Sequence, residues 1–286
     1  MNEYRDLWYE SHDGLRLYAR DYGAPGGRAP VLCMHGLTRN SADFAGLASH
    51  LAPGRRVLCV DQRGRGRSQY DPVVANYKPA TYVQDMFTLL DREGIDSVVL
   101  VGTSMGGLMS FAMGAAQPAR IAAMVINDIG PEVDPAGLAR IKRYVGKSRP
   151  VTSWVEAVEQ QRAINGVAFP DFSEDQWQAF TRGLYREENG VPVLAYDPAI
   201  AEPISAAETN AVPPDLWPVF DTLAPIPMLL IRGSTSDILS RACAQRMQKS
   251  HGALEYVEIP DRGHAPTLDE PQSRAAIDAF LAALPH

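Results

Sequence analysis

Gly102-Thr103-Ser104-Met105-Gly106 follows the apolar run Val98, Val99, Leu100, Val101 and leads into an apolar helical pattern. That is strand, sharp turn and helix, with a serine at the apex. The Gly-x-Ser-x-Gly spacing is a nucleophile elbow, in which the turn strains the serine backbone and the flanking residues must be small. The strain lifts the Ser104 hydroxyl clear of the sheet edge. It also sets Ser104 at a helix N-terminus, where free N–H groups favour negative charge. Serine is a poor nucleophile at neutral pH and needs a positioned base.

Of the six histidines, His12, His50, His251 and His286 fall in a turn, at helix ends or at the last position, and are set aside. His264 lies in Pro260-Asp261-Arg262-Gly263-His264-Ala265-Pro266, between the last strand-like run and the last helical one. In a parallel sheet every strand's C-terminal edge faces the same side, so this loop and the elbow share a rim. His264 is the base candidate. The base needs an acid that sets its tautomer and stabilises the imidazolium. Asp237, in Gly233-Ser234-Thr235-Ser236-Asp237, gives the chain order Ser, Asp, His. Asp128 is a rival, ending the strand next after the elbow strand. Asp237 is preferred because its strand adjoins that of the histidine in the expected sheet order.

An acyl-transfer site also needs donors for the oxyanion. The N–H of Met105, directly after the serine, is one. The N–H of Leu37 is the second, because Gly36 lets the loop after the strand at Val31 turn an amide inward. His35 reads as a structural hydrogen-bonder beneath that loop. It stays among the candidate substrate contacts with Gly36, Asp128, Trp154, Phe169 and Trp177. For any single aromatic of that set, packing is the simpler explanation.

The elements that must position these residues follow from periodicity. Runs near 7–9, 15–22, 31–34, 56–60, 98–101 and 121–129 read as strands, and 43–51 and 79–92 as helices. Short apolar strands alternating with helices argue for a parallel sheet covered on both faces. From 132 to 217 the pattern contains no convincing strand: 138–144, 153–164 and 173–185 look helical, with Ser173 and Gln176 as a capping box. The strand pattern resumes at 227–233 and 254–259, and a last helix covers 271–284. The expected division is therefore a core of 1–131 and 218–286 with a helical insertion at 132–217.

Composition narrows the partners. The chain has 286 residues and a net charge of −7, with no long block of one sign, which argues against nucleic acid. Arg63-Gly64-Arg65-Gly66-Arg67 is too short for a nucleic-acid patch and reads as a Gly-rich turn near the site rim. Three cysteines do not suggest a disulfide framework; Cys33 and Cys59 sit in apolar runs and Cys243 in a helical stretch. There is no phosphate loop of the Gly-x4-Gly-Lys-Ser/Thr kind and no His-Glu-x2-His pair, so no cofactor and no metal are expected. Residues 1–6 carry no signal-peptide pattern, and no apolar run approaches a membrane span. A cytoplasmic location is the default expectation, as monomer or homodimer.

Together, His35-Gly36, the segment from Asp61 to Ser68, the elbow and Asp261-Arg262-Gly263-His264 make the chain resemble the α/β-hydrolase fold superfamily along nearly its whole length. The resemblance implies an eight-stranded, mostly parallel sheet with an antiparallel second strand, helices on both faces and a helical cap insertion. It supports Ser104, Asp237 and His264 as the triad and Leu37 and Met105 as oxyanion donors. Serine rather than aspartate at the elbow disfavours the dehalogenase and epoxide-hydrolase chemistries of this fold. Three readings follow. The first is a serine hydrolase of a small carboxylic ester or lactone, working through an acyl-enzyme. The second is a carbon–carbon bond hydrolase of a ring-cleavage product, or a perhydrolase, with the same triad. The third is a binding or receptor protein without turnover. The fold does not choose the substrate.

Overall fold

Each inner strand alternates its side chains between two cores, because successive residues of a strand point to opposite faces. The computed structural model describes residues 4–203 and 215–285. Strands β1 (Tyr4–Glu10), β2 (Arg16–Tyr22), β3 (Val31–Met34), β4 (Val57–Asp61), β5 (Val98–Thr103) and β6 (Ile121–Asn127) precede the insertion. Leu100, Ile126 and Leu58 enter one core, which also takes Met86, Met109, Phe111 and Met247 from helices α2 (Pro79–Arg92), α3 (Met105–Ala116) and α8 (Arg241–Ser250). Val99, Val101, Val125 and Cys59 enter the other, against Leu47 and Leu51 of α1 (Ala45–Leu51) and Ile277 and Phe280 of α9 (Pro271–Ala283). Strands buried on both faces are the reason these segments read as unbroken apolar runs.

With β9 (Met228–Gly233) and β10 (Leu254–Ile259), the strands form one eight-stranded sheet in the order β1-β2-β4-β3-β5-β6-β9-β10. β2 is antiparallel to both its neighbours; β4, β3, β5, β6, β9 and β10 pair in parallel. After β3 the chain adds β4 on one side, then crosses to add β5 on the other. Such a switch point opens a crevice beyond the strands' carboxyl ends, where ligands bind in sheets of this kind. The loops that leave β3 and β5 carry Gly36-Leu37 and Ser104.

Between β6 and β9 the chain forms α4 (Pro135–Tyr144), α5 (Trp154–Asn165) and α6 (Glu174–Leu184), and α7 (Trp217–Asp221) leads back to the sheet. The Ser173–Gln176 capping box is present at the start of α6. One expectation fails here. The segment carries a hairpin, β7 (Tyr185–Glu188) with β8 (Val191–Leu194), antiparallel with Tyr185 opposite Leu194. Asn189 and Gly190 at its tip both take positive φ, 51° and 81°. Asn-Gly is the strongest short-range hairpin signal, and it stands in the sequence. Residues 204–214 of the expected insertion lie outside the described residues. Among the described residues no helix is long and apolar enough to cross a membrane.

Candidate active site

Ser104 takes φ 53° and ψ −112° between β5 and α3, a conformation that L-residues avoid. The geometry shows why its neighbours are glycines. A Cβ on Gly102 would come within 2.3 Å of the Gly106 carbonyl oxygen, and one on Gly106 within 2.0 Å of the Met34 carbonyl oxygen. The Ser104 N–H donates to the Asn127 carbonyl at 3.0 Å, tying the elbow to the end of β6.

The Ser104 hydroxyl donates to His264 Nε2 at 2.8 Å. His264 Nδ1 lies 2.9 Å from Asp128 Oδ2. An ionised carboxylate only accepts, so Nδ1 carries the proton and Nε2 is left free to take one. Asp128 is fully buried at the end of β6 and takes φ 58°, the left-handed region that Asp and Asn tolerate better than most residues. It accepts from the Gly233 N–H at 2.9 Å through Oδ1, and from the Ser236 hydroxyl at 2.6 Å through Oδ2. Asn127 Nδ2 donates to the Pro266 carbonyl at 2.8 Å and to Thr103 Oγ1 at 3.0 Å, fastening the histidine loop to the elbow strand.

The expected pairing of His264 with Asp237 is therefore corrected. Asp237 does follow β9, and β9 does adjoin β10. Its carboxylate, however, turns outward and pairs bidentately with Arg140 of α4, at 2.6 and 2.9 Å. The Arg140 hydrogen bonds hold the Asp237 carboxyl below the usual carboxylate range. The residue before it, Ser236, faces inward and reaches Asp128. Consecutive residues of this turn point opposite ways, so the same loop that offers an acid to Arg140 offers a hydroxyl to the buried carboxylate.

Met105 is the first residue of α3, so its N–H has no acceptor within the helix. Among the described residues, the Leu37 N–H meets no acceptor either. A Cβ on Gly36 would lie 3.8 Å from that of Ser104, which puts this loop against the serine. His35 lies beneath it, fully buried. Its Nδ1 donates to the Gly36 carbonyl at 2.6 Å, and the Gln62 N–H donates to Nε2 at 3.1 Å. Burial pushes the His35 pKa down to about 3, so it stays neutral. It is a strut of the loop, outside the cavity lining.

The serine and histidine open into a cavity of about 550 Å³. Gly36, Leu37, Ser104 and His264 form its floor, and Tyr144, Phe172, Phe180 and Tyr196 of the inserted segment form its roof. Asn40 Nδ2 bonds the Gly183 carbonyl at 2.7 Å and Arg262 bonds Asp171, holding the roof to the core. Arg39 reaches into the wall, stacked over Phe180 at 4.2 Å and paired with Asp43 at 2.9 Å. Burial raises the Asp43 pKa, against the pull of Arg39. Among the described residues the one group of metal-ligating type is His12, Asp13 and Asp85. Both its carboxylates already accept from Arg63.

The model of the alpha/beta hydrolase family matches residues 31–277. The chain belongs to the alpha/beta hydrolase family. Two full-length relatives are named as hydrolases. The 3-hydroxybutyrate-oligomer hydrolase of Cupriavidus necator is 31% identical over 273 residues, 93% of this chain and 92% of its own length. The 2-(acetamidomethylene)succinate hydrolase of Mesorhizobium japonicum is 26% identical over 235 residues, 82% of this chain and 81% of that one. A solved alpha/beta hydrolase from Novosphingobium aromaticivorans matches with a TM-score of 0.93 at 47% identity, covering 99% of both chains.

In this α/β hydrolase the aromatics singled out from sequence do not line the cavity. Phe169 and Trp177 pack with Phe172 and Phe180 in a small core of the insertion, and Trp154 packs beside another with Tyr185 and Leu184. Phe172 and Phe180 are the members of the first core that also reach the cavity. All these rings share one composition signal; which of them faces the cavity depends on how the helices settle on the core.

Proposed function

We propose that this chain is a serine hydrolase of small carboxylic esters, with Ser104 as nucleophile, His264 as general base and acid, and Asp128 as the orienting acid. The observation that carries the reading is the continuous chain of hydrogen bonds from Ser104 through His264 to Asp128 at the floor of the cavity. Ser104 Oγ attacks the ester carbonyl as its proton passes to His264 Nε2. The buried Asp128 carboxylate stabilises the imidazolium. The N–H groups of Leu37 and Met105 receive the oxyanion, and such preorganised donors account for a large part of the rate in acyl transfer. The tetrahedral intermediate collapses, the alcohol leaves with the proton from Nε2, and the acyl group stays on Ser104. Water then attacks the acyl-enzyme with His264 as base, and a second collapse frees the acid and restores the serine.

The substrate class proposed is a short aliphatic oligoester of a hydroxy acid. Support comes from the oligomer hydrolase that is 31% identical over nearly the full length. The cavity volume, about 550 Å³, lies within the range of roughly 300–1,000 Å³ typical of sites for small molecules. A panel of 3-hydroxybutyrate dimer and trimer, aryl butyrates, lactones and vinylogous diketones tests this, with Ser104→Ala as control. The reading expects the oligoesters to be the better substrates and Ser104→Ala to abolish turnover. Cleavage of the diketones alone, with every ester intact, would overturn it.

A further inference from the structure

Arg63 and Arg65 are neighbours in the loop after β4, and both side chains are fully buried. Their surroundings differ. Arg63 is paired with three carboxylates, Asp13, Asp71 and Asp85. Among the described residues Arg65 meets no carboxylate. Its Nε–H donates to the Leu37 carbonyl at 2.9 Å. One terminal nitrogen donates to the Arg63 carbonyl at 2.8 Å and to the Tyr82 hydroxyl at 2.9 Å, and the other lies 3.9 Å from Met105 Sδ. The guanidinium also sits over the Tyr82 ring at 4.9 Å.

A buried guanidinium stays charged, and a charge buried without a counter-ion is costly. The two residues it touches outside its own loop and the tyrosines are Leu37 and Met105, the two oxyanion donors of the proposed mechanism. We infer that Arg65 is the positioning residue of the oxyanion hole, holding the Leu37 loop in place and setting a positive charge that no carboxylate contacts behind the point where the oxyanion forms. This rests on the serine-hydrolase reading above. The charge attracts the substrate carbonyl oxygen more strongly as that oxygen becomes negative, so its interaction is greater in the transition state than in the ground state. That difference is what accelerates a reaction. Arg65 also links the hole to the roof of the cavity. The flanking Gly66 N–H donates to the Ala195 carbonyl at 2.7 Å, and the Asp197 N–H donates to the Gly64 carbonyl at 2.8 Å.

The test compares Arg65→Gln, which removes the charge, with Arg65→Lys, which keeps the charge and loses the planar fork. Steady-state kinetics on the best ester are read beside the affinity of a trifluoromethyl ketone, whose adduct with Ser104 carries the oxyanion. Circular dichroism at the assay temperature shows that each variant is folded. The inference expects Arg65→Gln to lose about ten- to a hundredfold in kcat, below the loss of a direct oxyanion donor, with KM changed less than about threefold. The ketone should weaken by the same factor as kcat/KM, and Arg65→Lys should lose several-fold less. A purely structural role would lower thermal stability without this parallel. If Arg65→Gln does not fold, Arg65→Lys decides by the same parallel. Wild-type kcat and ketone affinity in a folded variant overturn the inference, as does a loss confined to KM. Wild-type protein that turns over no ester overturns the hydrolase reading as well; active wild type with indifferent Arg65 variants overturns this inference alone.

Discussion

His264 and Ser236 converge on one oxygen of Asp128: the imidazole Nδ1–H donates to Oδ2 at 2.9 Å and the hydroxyl donates to it at 2.6 Å. The other oxygen takes the Gly233 N–H at 2.9 Å. The carboxylate is thus fixed from three sides, by the last residue of β9, by the loop that follows it and by the histidine loop after β10. The carboxylate that sits under His264 comes from the end of the strand beside the elbow strand, while the aspartate that follows β9 pairs with Arg140 of the inserted segment.

Exchanging each aspartate for asparagine separates these roles. Asp128→Asn leaves the shape of the site but offers His264 the wrong tautomer, so kcat should fall by about three to four orders of magnitude. Asp237→Asn removes a half-exposed ion pair with Arg140, and exposed pairs contribute about 0–1 kcal/mol. Its kcat should stay within a few-fold of wild type. Steady-state kinetics on one ester decide the matter, and a larger loss at Asp237 would reverse the assignment.

Ser236→Ala removes one donor from the Asp128 carboxylate. A hydrogen bond to a charged group contributes about 1.5–3 kcal/mol, and about 1.4 kcal/mol is a factor of ten in rate. We expect kcat to drop about ten- to a hundredfold with KM nearly unchanged. Unchanged kcat would show that the Gly233 amide and the histidine suffice to hold the carboxylate.

His35 makes a pH prediction. Burial depresses its pKa from 6.5 to about 3 in the folded chain. Between those values the unfolded chain binds a proton at His35 and the folded chain does not. Stability from this group is therefore complete above about 6.5 and is lost as the pH falls toward 3, by about 1.4 kcal/mol per unit. His35→Gln should be less stable than wild type at pH 7, with the gap narrowing steadily below pH 6. Urea unfolding of both proteins from pH 7 to pH 4 checks this; parallel curves would contradict it.

The elbow glycines should be intolerant for a backbone reason. Gly106→Ala drives a methyl to 2.0 Å from the Met34 carbonyl oxygen, whereas Gly26→Ala meets nothing within 4 Å. Overpacking of this kind costs about 1–3 kcal/mol or more. Thermal unfolding should separate the two variants clearly, with Gly26→Ala close to wild type.

The parts of this molecule that a sequence reader can see are those whose signal is local. β3, β5 and β6 announce themselves as apolar runs because both their faces are buried, and Ser104 announces itself because glycine is required on either side. His264 follows once the strands are parallel, since their carboxyl ends share a rim. The choice between Asp128 and Asp237 is not local. Both follow strands near the histidine, and only the direction in which the β9 loop turns its side chains puts Ser236 inward and Asp237 outward. The same holds for the aromatics of the insertion, where Phe172 and Phe180 reach the cavity and Phe169 and Trp177 do not. The roles of Arg63 and Arg65 also stay hidden: a Gly-rich turn is legible, and the burial of its arginines is not. The β7–β8 hairpin is legible from Asn189-Gly190, although the helical pattern on either side masks its strands.

The most direct measurement of the central claim is intact and peptide-mapped mass spectrometry after brief treatment with a fluorophosphonate. One adduct per chain is expected, mapped to Ser104, formed rapidly in wild type, slowly in Asp128→Asn and at wild-type speed in Asp237→Asn. An adduct on another residue, or ester turnover by folded Ser104→Ala, would contradict it.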